Sequence, residues 1–174
     1  MPKDLTLAID VGTGSVRAAL VHRRGRIEAF ASRAHEQIVL RYGWSEQKPE
    51  EWWQGVVASV RQVLEKVSSA AARIEAVAVC GQMHGTVLVD DDGRLTRETA
   101  PLWNDKRAQG FVDAFRAGHP PNEYLPLTGN PPAAPWPAFK LQWFKAHEEA
   151  VYRRTRTVLM PKDYINFRLT GERA

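Results

Sequence analysis

An α/β domain is the fold class the sequence predicts, with its first three strands antiparallel. Leu5 to Asp10 alternates apolar and polar residues, Val16 to Val21 and Ile27 to Ala34 follow closely, and a helical pattern begins only near Lys48. Connections this short leave no room for helical crossovers, so neighbouring strands must reverse direction. After them come a helix, further strands and then mostly helical segments, an order that places both element types in one domain.

Each element has its own warrant. Leu5, Leu7 and Ile9 share one face of the first strand. Arg24-Gly25-Arg26 joins the next two strands as a hairpin. Lys48-Pro49-Glu50-Glu51 reads as a helix start, because proline suits an early helical position and acids complement the positive dipole end. Trp52, Val56, Val60 and Leu64 recur at intervals of four and give that helix an apolar stripe to about Ser68. Ile74 to Cys80 is continuous and β-branched, the pattern of a buried strand. Thr86 to Val89 continues as strand into the turn Asp90-Asp91-Asp92-Gly93, with a further extended stretch from Thr96 to Leu102. A helix starting near Asp105 covers Ala108 to Arg116. Pro120 to Pro137 is proline-rich and reads as an ordered loop or lid rather than regular structure. Helical patterning returns over Phe139 to His147, Val158-Leu159-Met160 is a short strand, and Pro161-Lys162-Asp163 opens a last helix.

Composition excludes several function classes. The chain has 174 residues, 44% hydrophobic and 25% charged, as in ordinary globular proteins rather than disordered ones. No apolar run approaches the ~20 residues that span a bilayer, and the opening Met-Pro-Lys-Asp lacks the apolar core of a secretion signal. The single cysteine, Cys80, excludes a disulfide framework within the chain and suits a reducing, cytoplasmic setting. The net charge of +4 collects partly in His22-Arg23-Arg24-Gly25-Arg26 and Tyr152-Arg153-Arg154-Thr155-Arg156. Neither run carries a recognition motif, so they read as a polar hairpin tip and a solvated helix end, with no nucleic-acid or membrane partner.

The chemistry concentrates in Ile9-Asp-Val-Gly-Thr-Gly-Ser-Val-Arg17. Glycines let backbone N–H groups turn inward, hydroxyls add donors, and an aspartate at the strand end can hold magnesium, often through water. Two familiar phosphate loops fail here. No Lys-Ser or Lys-Thr follows the glycines, and Arg17 stands where a dinucleotide fingerprint needs its third glycine. Nor is there room between Gly14 and Gly25 for the long helix a dinucleotide fold requires. A strand-turn-strand phosphate hairpin remains, and it resembles the first phosphate motif of the sugar kinase, heat-shock chaperone and actin superfamily. A plain turn would not need the aspartate, both hydroxyls and the arginine together.

A second constellation, Gly81-Gln82-Met83-His84-Gly85, follows the Ile74–Cys80 strand, where α/β folds place ligand contacts. It resembles the substrate-strand motif of xylulokinases within the FGGY carbohydrate kinase family. Three further stretches agree in order along the chain. They are Trp44-Ser45-Glu46-Gln47 with Pro49-Glu50-Glu51-Trp52-Trp53, then Leu102-Trp103-Asn104-Asp105-Lys106-Arg107, then Leu159-Met160-Pro161-Lys162-Asp163-Tyr164 with Leu169-Thr170-Gly171-Glu172. The resemblance implies a ribonuclease H-like fold, with residues 1–174 as a truncated N-terminal kinase domain lacking the second domain. It implies packing roles for Trp44, Trp52 and Trp53, and a structural role for Lys162-Asp163-Tyr164.

By the same resemblance, Asp10 anchors Mg²⁺, while Gly12, Thr13, Gly14, Ser15 and Arg17 surround the ATP phosphates. Met83 and His84 line the sugar pocket, with Trp103 and Asp105 as additional contacts. The implied reaction is ATP-dependent phosphorylation of a sugar, D-xylulose to D-xylulose 5-phosphate. Other FGGY substrates (ribulose, fuculose, gluconate) and a non-catalytic sugar-binding remnant stay open, as does a homodimer. The family's aspartate base lies beyond Ala174, so residues 1–174 alone are expected to be inactive. Asp90 to Asp92, in a surface turn, are no substitute.

Overall fold

The computed structural model describes residues 3–173. In chain order its elements are β1 (Leu5–Val11), β2 (Ser15–His22), β3 (Ile27–Ala34), β4 (Glu46–Gln47), α1 (Pro49–Lys66), α2 (Ala70–Arg73), β5 (Ile74–Gly81), β6 (Val87–Val89) and β7 (Ala100–Pro101). Then follow α3 (Gln109–Gly118), α4 (Pro121–Thr128), α5 (Pro137–His147), α6 (Glu149–Arg154), β8 (Thr157–Leu159) and α7 (Pro161–Thr170). The chain forms two compact units. The first takes the chain up to Gln37, Lys48–Gln82 and the chain from Pro161; the second takes Ile38–Gln47 and Met83–Met160.

In the first unit a four-stranded sheet runs in the order β3-β2-β1-β5. The first three strands are antiparallel, as the short connections require, and β5 lies parallel to β1. Gly25, at φ 81°, supplies the left-handed residue in the β2–β3 turn. Along β1, Leu5, Leu7, Ile9 and Val11 are buried in strict alternation. Burying four such side chains is worth on the order of 6–12 kcal/mol before the cost of ordering the chain. α1 packs on β2 and β3, and α7 packs on β5 and β1. The helix α1 comes close because Gly55 has no side chain: a Cβ there would stand 3.2 Å from Val16 Cγ2.

Two expectations need correction in this unit. The buried face of α1 runs Trp52, Val56, Ser59 and Val63, and the helix ends at Lys66. Steps of four overshoot the 3.6-residue turn, so the buried stripe shifts to a step of three and leaves Val60 and Leu64 half-buried. β5 is a strand, but Glu75 to Ala78 are exposed and Val77 is 53% accessible. A continuous apolar strand is buried only with neighbours on both edges and layers on both faces. Among the described residues β5 has one strand neighbour, β1.

The second unit holds two small antiparallel pairs, β4–β7 and β6–β8, around a core of Leu88, Ala108, Val112, Ala134, Phe139, Trp143 and Phe144. α5 brings Phe139, Lys140, Trp143 and Phe144 to that interior, the i, i+3, i+4 spacing of a helix face. Of the extended stretch expected from Thr96 to Leu102, only Ala100–Pro101 pairs as strand. The Pro120–Pro137 segment contains a helix, α4, where a loop was expected. Pro121 stands in its first turn, where a missing N–H costs nothing, and Gly129 at φ 66° ends it. None of its residues is buried, so no apolar periodicity announced it. Asp90 caps its own surface turn by accepting from the Asp92 and Arg94 amides. Among the described residues no helix is long and apolar enough to cross a membrane.

Candidate active site

The pairing of β1 decides the surroundings of Asp10. Arg17 stands opposite it on β2 and Cys80 on β5, so three side chains line up across adjacent strands. Asp10 Oδ2 accepts from Arg17 Nη1 at 3.2 Å, and Oδ1 from the Cys80 thiol at 3.6 Å. Partial desolvation, and then the charge of Asp10, push the Cys80 thiol upward, so it is a protonated donor rather than a thiolate. A shallow hollow of about 180 Å³ opens beside these groups, bounded also by Ala8, Ala19 and Phe30. Gly81 permits the β1–β5 approach just beyond Asp10, since a Cβ would stand 3.0 Å from Val11 O.

The Gly12–Ser15 turn is held from one side by a residue that sequence reasoning missed. His35 Nε2 lies 3.0 Å from Gly12 O and 3.1 Å from Thr13 O, while the His35 amide donates to Gly14 O at 3.3 Å. Both oxygens facing Nε2 are acceptors, so that nitrogen carries the proton. Among the described residues Nδ1 is buried without a partner, and burial holds the imidazole below its usual pKa although the two carbonyls oppose this. In a planar trans peptide N–H and C=O point oppositely. Drawing three successive carbonyls toward His35 therefore turns the Thr13, Gly14 and Ser15 N–H groups the other way, as an anion-binding nest needs. Thr13 Oγ1 in turn donates to Gln82 Oε1 at 3.3 Å. The only sequence signal for His35 is its place immediately after the third strand.

In the second unit, Met83 is 64% exposed and His84 is half-buried. His84 has φ 59°, and Gly85 N donates to Met83 O at 2.8 Å. That is a γ-turn of the positive-φ kind, rare and strained for a residue with a side chain. Burial, and then the nearby charge of Lys140, hold the His84 imidazole below its usual pKa. Trp103 is 43% exposed and borders a cleft of about 570 Å³ shared with Asn104, Asp105, Lys106, Gln109 and Arg116. That volume falls within the range of small-molecule pockets.

Asp105, expected as a sugar contact, is fully buried and its carboxylate is committed internally. Oδ2 accepts from the Ser45 amide at 2.7 Å and Arg107 Nη2 at 2.8 Å; Oδ1 accepts from the Arg107 amide and Nε, both at 2.9 Å. These bonds tie Asp105 to the Ser45 amide and to Arg107, two residues on. Arg107 also pairs with buried Glu46, and its guanidinium lies 3.9 Å from the Trp44 ring and 4.9 Å from the Trp143 ring. Arg97 joins Glu46 through two bonds, at 2.8 and 2.9 Å. Burial pushes the Glu46 carboxyl up, but the Arg97 and Thr99 hydrogen bonds and the two arginine charges outweigh it and hold it below its usual value. Trp44 and Trp52 pack internally, as expected, and Trp53 lies against Arg168.

Comparison with known proteins follows the same lines. Residues 5–174 match the model of the FGGY family of carbohydrate kinases, N-terminal domain. The xylulose kinase of Bacillus subtilis (strain 168) is 34% identical over 167 residues, covering 95% of this chain and 33% of that protein. The crystal structure of xylulose kinase from Rhodospirillum rubrum superposes with a TM-score of 0.92 at 32% identity, over 97% of this chain and 34% of that one. Gluconate kinase from Lactobacillus acidophilus superposes with a TM-score of 0.87 at 26% identity, over 97% of this chain and 34% of that one. The chain thus spans about a third of the length of the relatives it matches.

Proposed function

The chain belongs to the FGGY family of carbohydrate kinases, with the actin-like ATPase fold of its structural relatives, and we propose that the complete protein transfers the γ-phosphoryl group of ATP to D-xylulose, giving D-xylulose 5-phosphate. Residues 1–174 form the N-terminal kinase domain in this reading. The observation that carries it is the Gly12–Ser15 hairpin, whose carbonyls are turned to one side by His35.

Phosphoryl transfer asks a protein for positioning and charge neutralisation. The Thr13, Gly14 and Ser15 amides and the two hydroxyls receive the β- and γ-phosphates, and Arg17 spreads their charge. Asp10 is an accessible carboxylate, and no cluster of three or more carboxylate, histidine or cysteine groups surrounds it among the described residues. Such a site fits Mg²⁺ held mainly by phosphates and water, not a cation caged by protein. Bound there, Mg²⁺ supplies charge stabilisation at the phosphates. Met83 packs on the sugar carbon chain, His84 hydrogen-bonds its hydroxyls, and Trp103 offers an apolar face.

A gluconate-type substrate is the second reading, motivated by the similarity to a gluconate kinase. Met83-His84 after Gly81-Gln82 favours a ketopentose. ADP release by the complete protein over a panel of D-xylulose, D-ribulose, L-fuculose and gluconate decides between them. A kcat/KM highest for gluconate would replace the first reading by the second.

A further inference from the structure

A fully buried lysine, Lys140, has no part in the chemistry above. It stands on the interior face of α5, among Phe139, Trp143 and Phe144. Its Nζ lies 2.7 Å from His84 O, 2.7 Å from Leu102 O and 3.5 Å from Pro101 O. An ammonium has three donors and no acceptor, and here it meets three backbone carbonyls. Two of them belong to segments proposed to hold the sugar: His84 itself, and Leu102, whose peptide bond leads into Trp103.

The His84 turn needs such an anchor. A positive φ at a residue with a side chain costs on the order of 1–3 kcal/mol and persists only where the surroundings over-determine it. The local hydrogen bond from Gly85 N to Met83 O closes the turn but does not orient it. His84 O accepts from Lys140 and, at 3.2 Å, from Thr86 Oγ1, so the peptide after His84 is held from two directions. Leu102 O accepts from Lys140 and from the Asp105 amide. One cation therefore ties the strained turn and the Trp103 loop to the same point of α5.

We propose that Lys140 is a positioning residue that sets the geometry of the sugar pocket by clamping the carbonyls of His84 and Leu102. The proposal rests on the reading of Met83, His84 and Trp103 as sugar contacts. The charged form makes the clamp, because a neutral amine has only two N–H donors. Burial lowers the Lys140 pKa from 10.5 to about 7, with Asp105 opposing the shift and Arg107 adding to it. Among the described residues, these two act on its charge, and its charge in turn acts on the His84 imidazole.

The test uses the complete protein and steady-state kinetics from pH 6 to 9. Lys140→Met should raise the KM for sugar by roughly ten- to a hundredfold, the scale of losing near-attack geometry, with the KM for ATP unchanged within about twofold. Because Lys140→Met takes the charged donor from three carbonyls, leaving each with one other donor, and can misfold, Lys140→Arg and the unmodified protein carry the test as well. The sugar KM of the unmodified protein should rise above pH 7, and Lys140→Arg, charged throughout, should flatten that rise. An unchanged sugar KM in folded Lys140→Met, or identical pH profiles for lysine and arginine, overturns the proposal. His84→Asn, which tolerates the positive φ, separates the two readings. If it leaves the sugar KM unchanged, the sugar-site assignment fails; if it raises KM while the Lys140 variants do not, only the clamp fails.

Discussion

Replacing Arg107 by methionine tests the account of the second unit's interior. The side chain is 0% exposed, and so is the carboxylate of Asp105; Glu46 is 1% exposed. Methionine keeps the length of the stem and removes the charge. Asp105 then loses the bonds from Nε and Nη2 and keeps only the backbone amides of Ser45 and Arg107. Glu46 keeps Arg97 and Thr99. Breaking a buried ion pair by deleting one partner costs about 3–5 kcal/mol. The lost contacts with the Trp44 and Trp143 rings add to this, while the unpartnered Nη1 is no longer buried and offsets part of it. Native-state amide exchange at Ser45 reads the effect locally, because that N–H is bonded to Asp105. A loss of ~3–5 kcal/mol corresponds to a drop in protection of roughly a hundredfold to four-thousandfold. A drop smaller than about fivefold, less than ~1 kcal/mol, would refute the argument that these carboxylates depend on Arg107.

Other consequences follow from single contacts. His35→Leu should raise the KM for ATP about tenfold, the worth of roughly one or two lost hydrogen bonds, with the sugar KM unmoved; His35→Gln, which keeps a donor near Nε2, should restore most of it. Gly81→Ala should destabilise by about 1–3 kcal/mol in thermal unfolding, because the new Cβ meets backbone at 3.0 Å. Glu46 has a folded pKa below its usual 4.5, so its stabilisation is complete above that pH and is lost as pH falls through the folded value. Acid titration should therefore unfold the second unit of Glu46→Gln with a shallower pH dependence below about pH 4.5. At Lys140 the charged form is the one disfavoured, yet the slope has the same sign: its depressed pKa costs stability most below pH 7, and the cost is relieved as pH rises toward 10.5. Stability should rise over the interval in which the sugar KM worsens.

Legibility in the sequence followed the locality of the physics. The β1–β2 hairpin was readable because its turn, aspartate and arginine sit within a few residues, and register alone brings Arg17 opposite Asp10. The burial of β5 was not, since an apolar run does not say how many neighbours a strand has. α4 escaped because prolines read as breakers unless the first-turn position is recognised, and no buried residue gave it a period. The motif around Asp105 was legible, but its burial was not, since it comes with a bond from Ser45, sixty residues earlier in the chain. Lys140 did leave a signal, a charged residue on the same helix face as Phe139, Trp143 and Phe144. His35 left almost none, since its link to Gly12 arises only through the return of β3 beside β2.

The central claim is that the Gly12–Ser15 hairpin serves a sugar kinase acting on D-xylulose. Its most direct test is ADP formation by the complete protein with Mg²⁺, ATP and D-xylulose, compared with a Thr13→Val, Arg17→Met variant. Turnover should depend on xylulose, and the double variant should lose it by about a hundredfold or more, the scale of removing charge stabilisation from phosphoryl transfer. Turnover without dependence on xylulose, or a double variant as active as the parent, would contradict it.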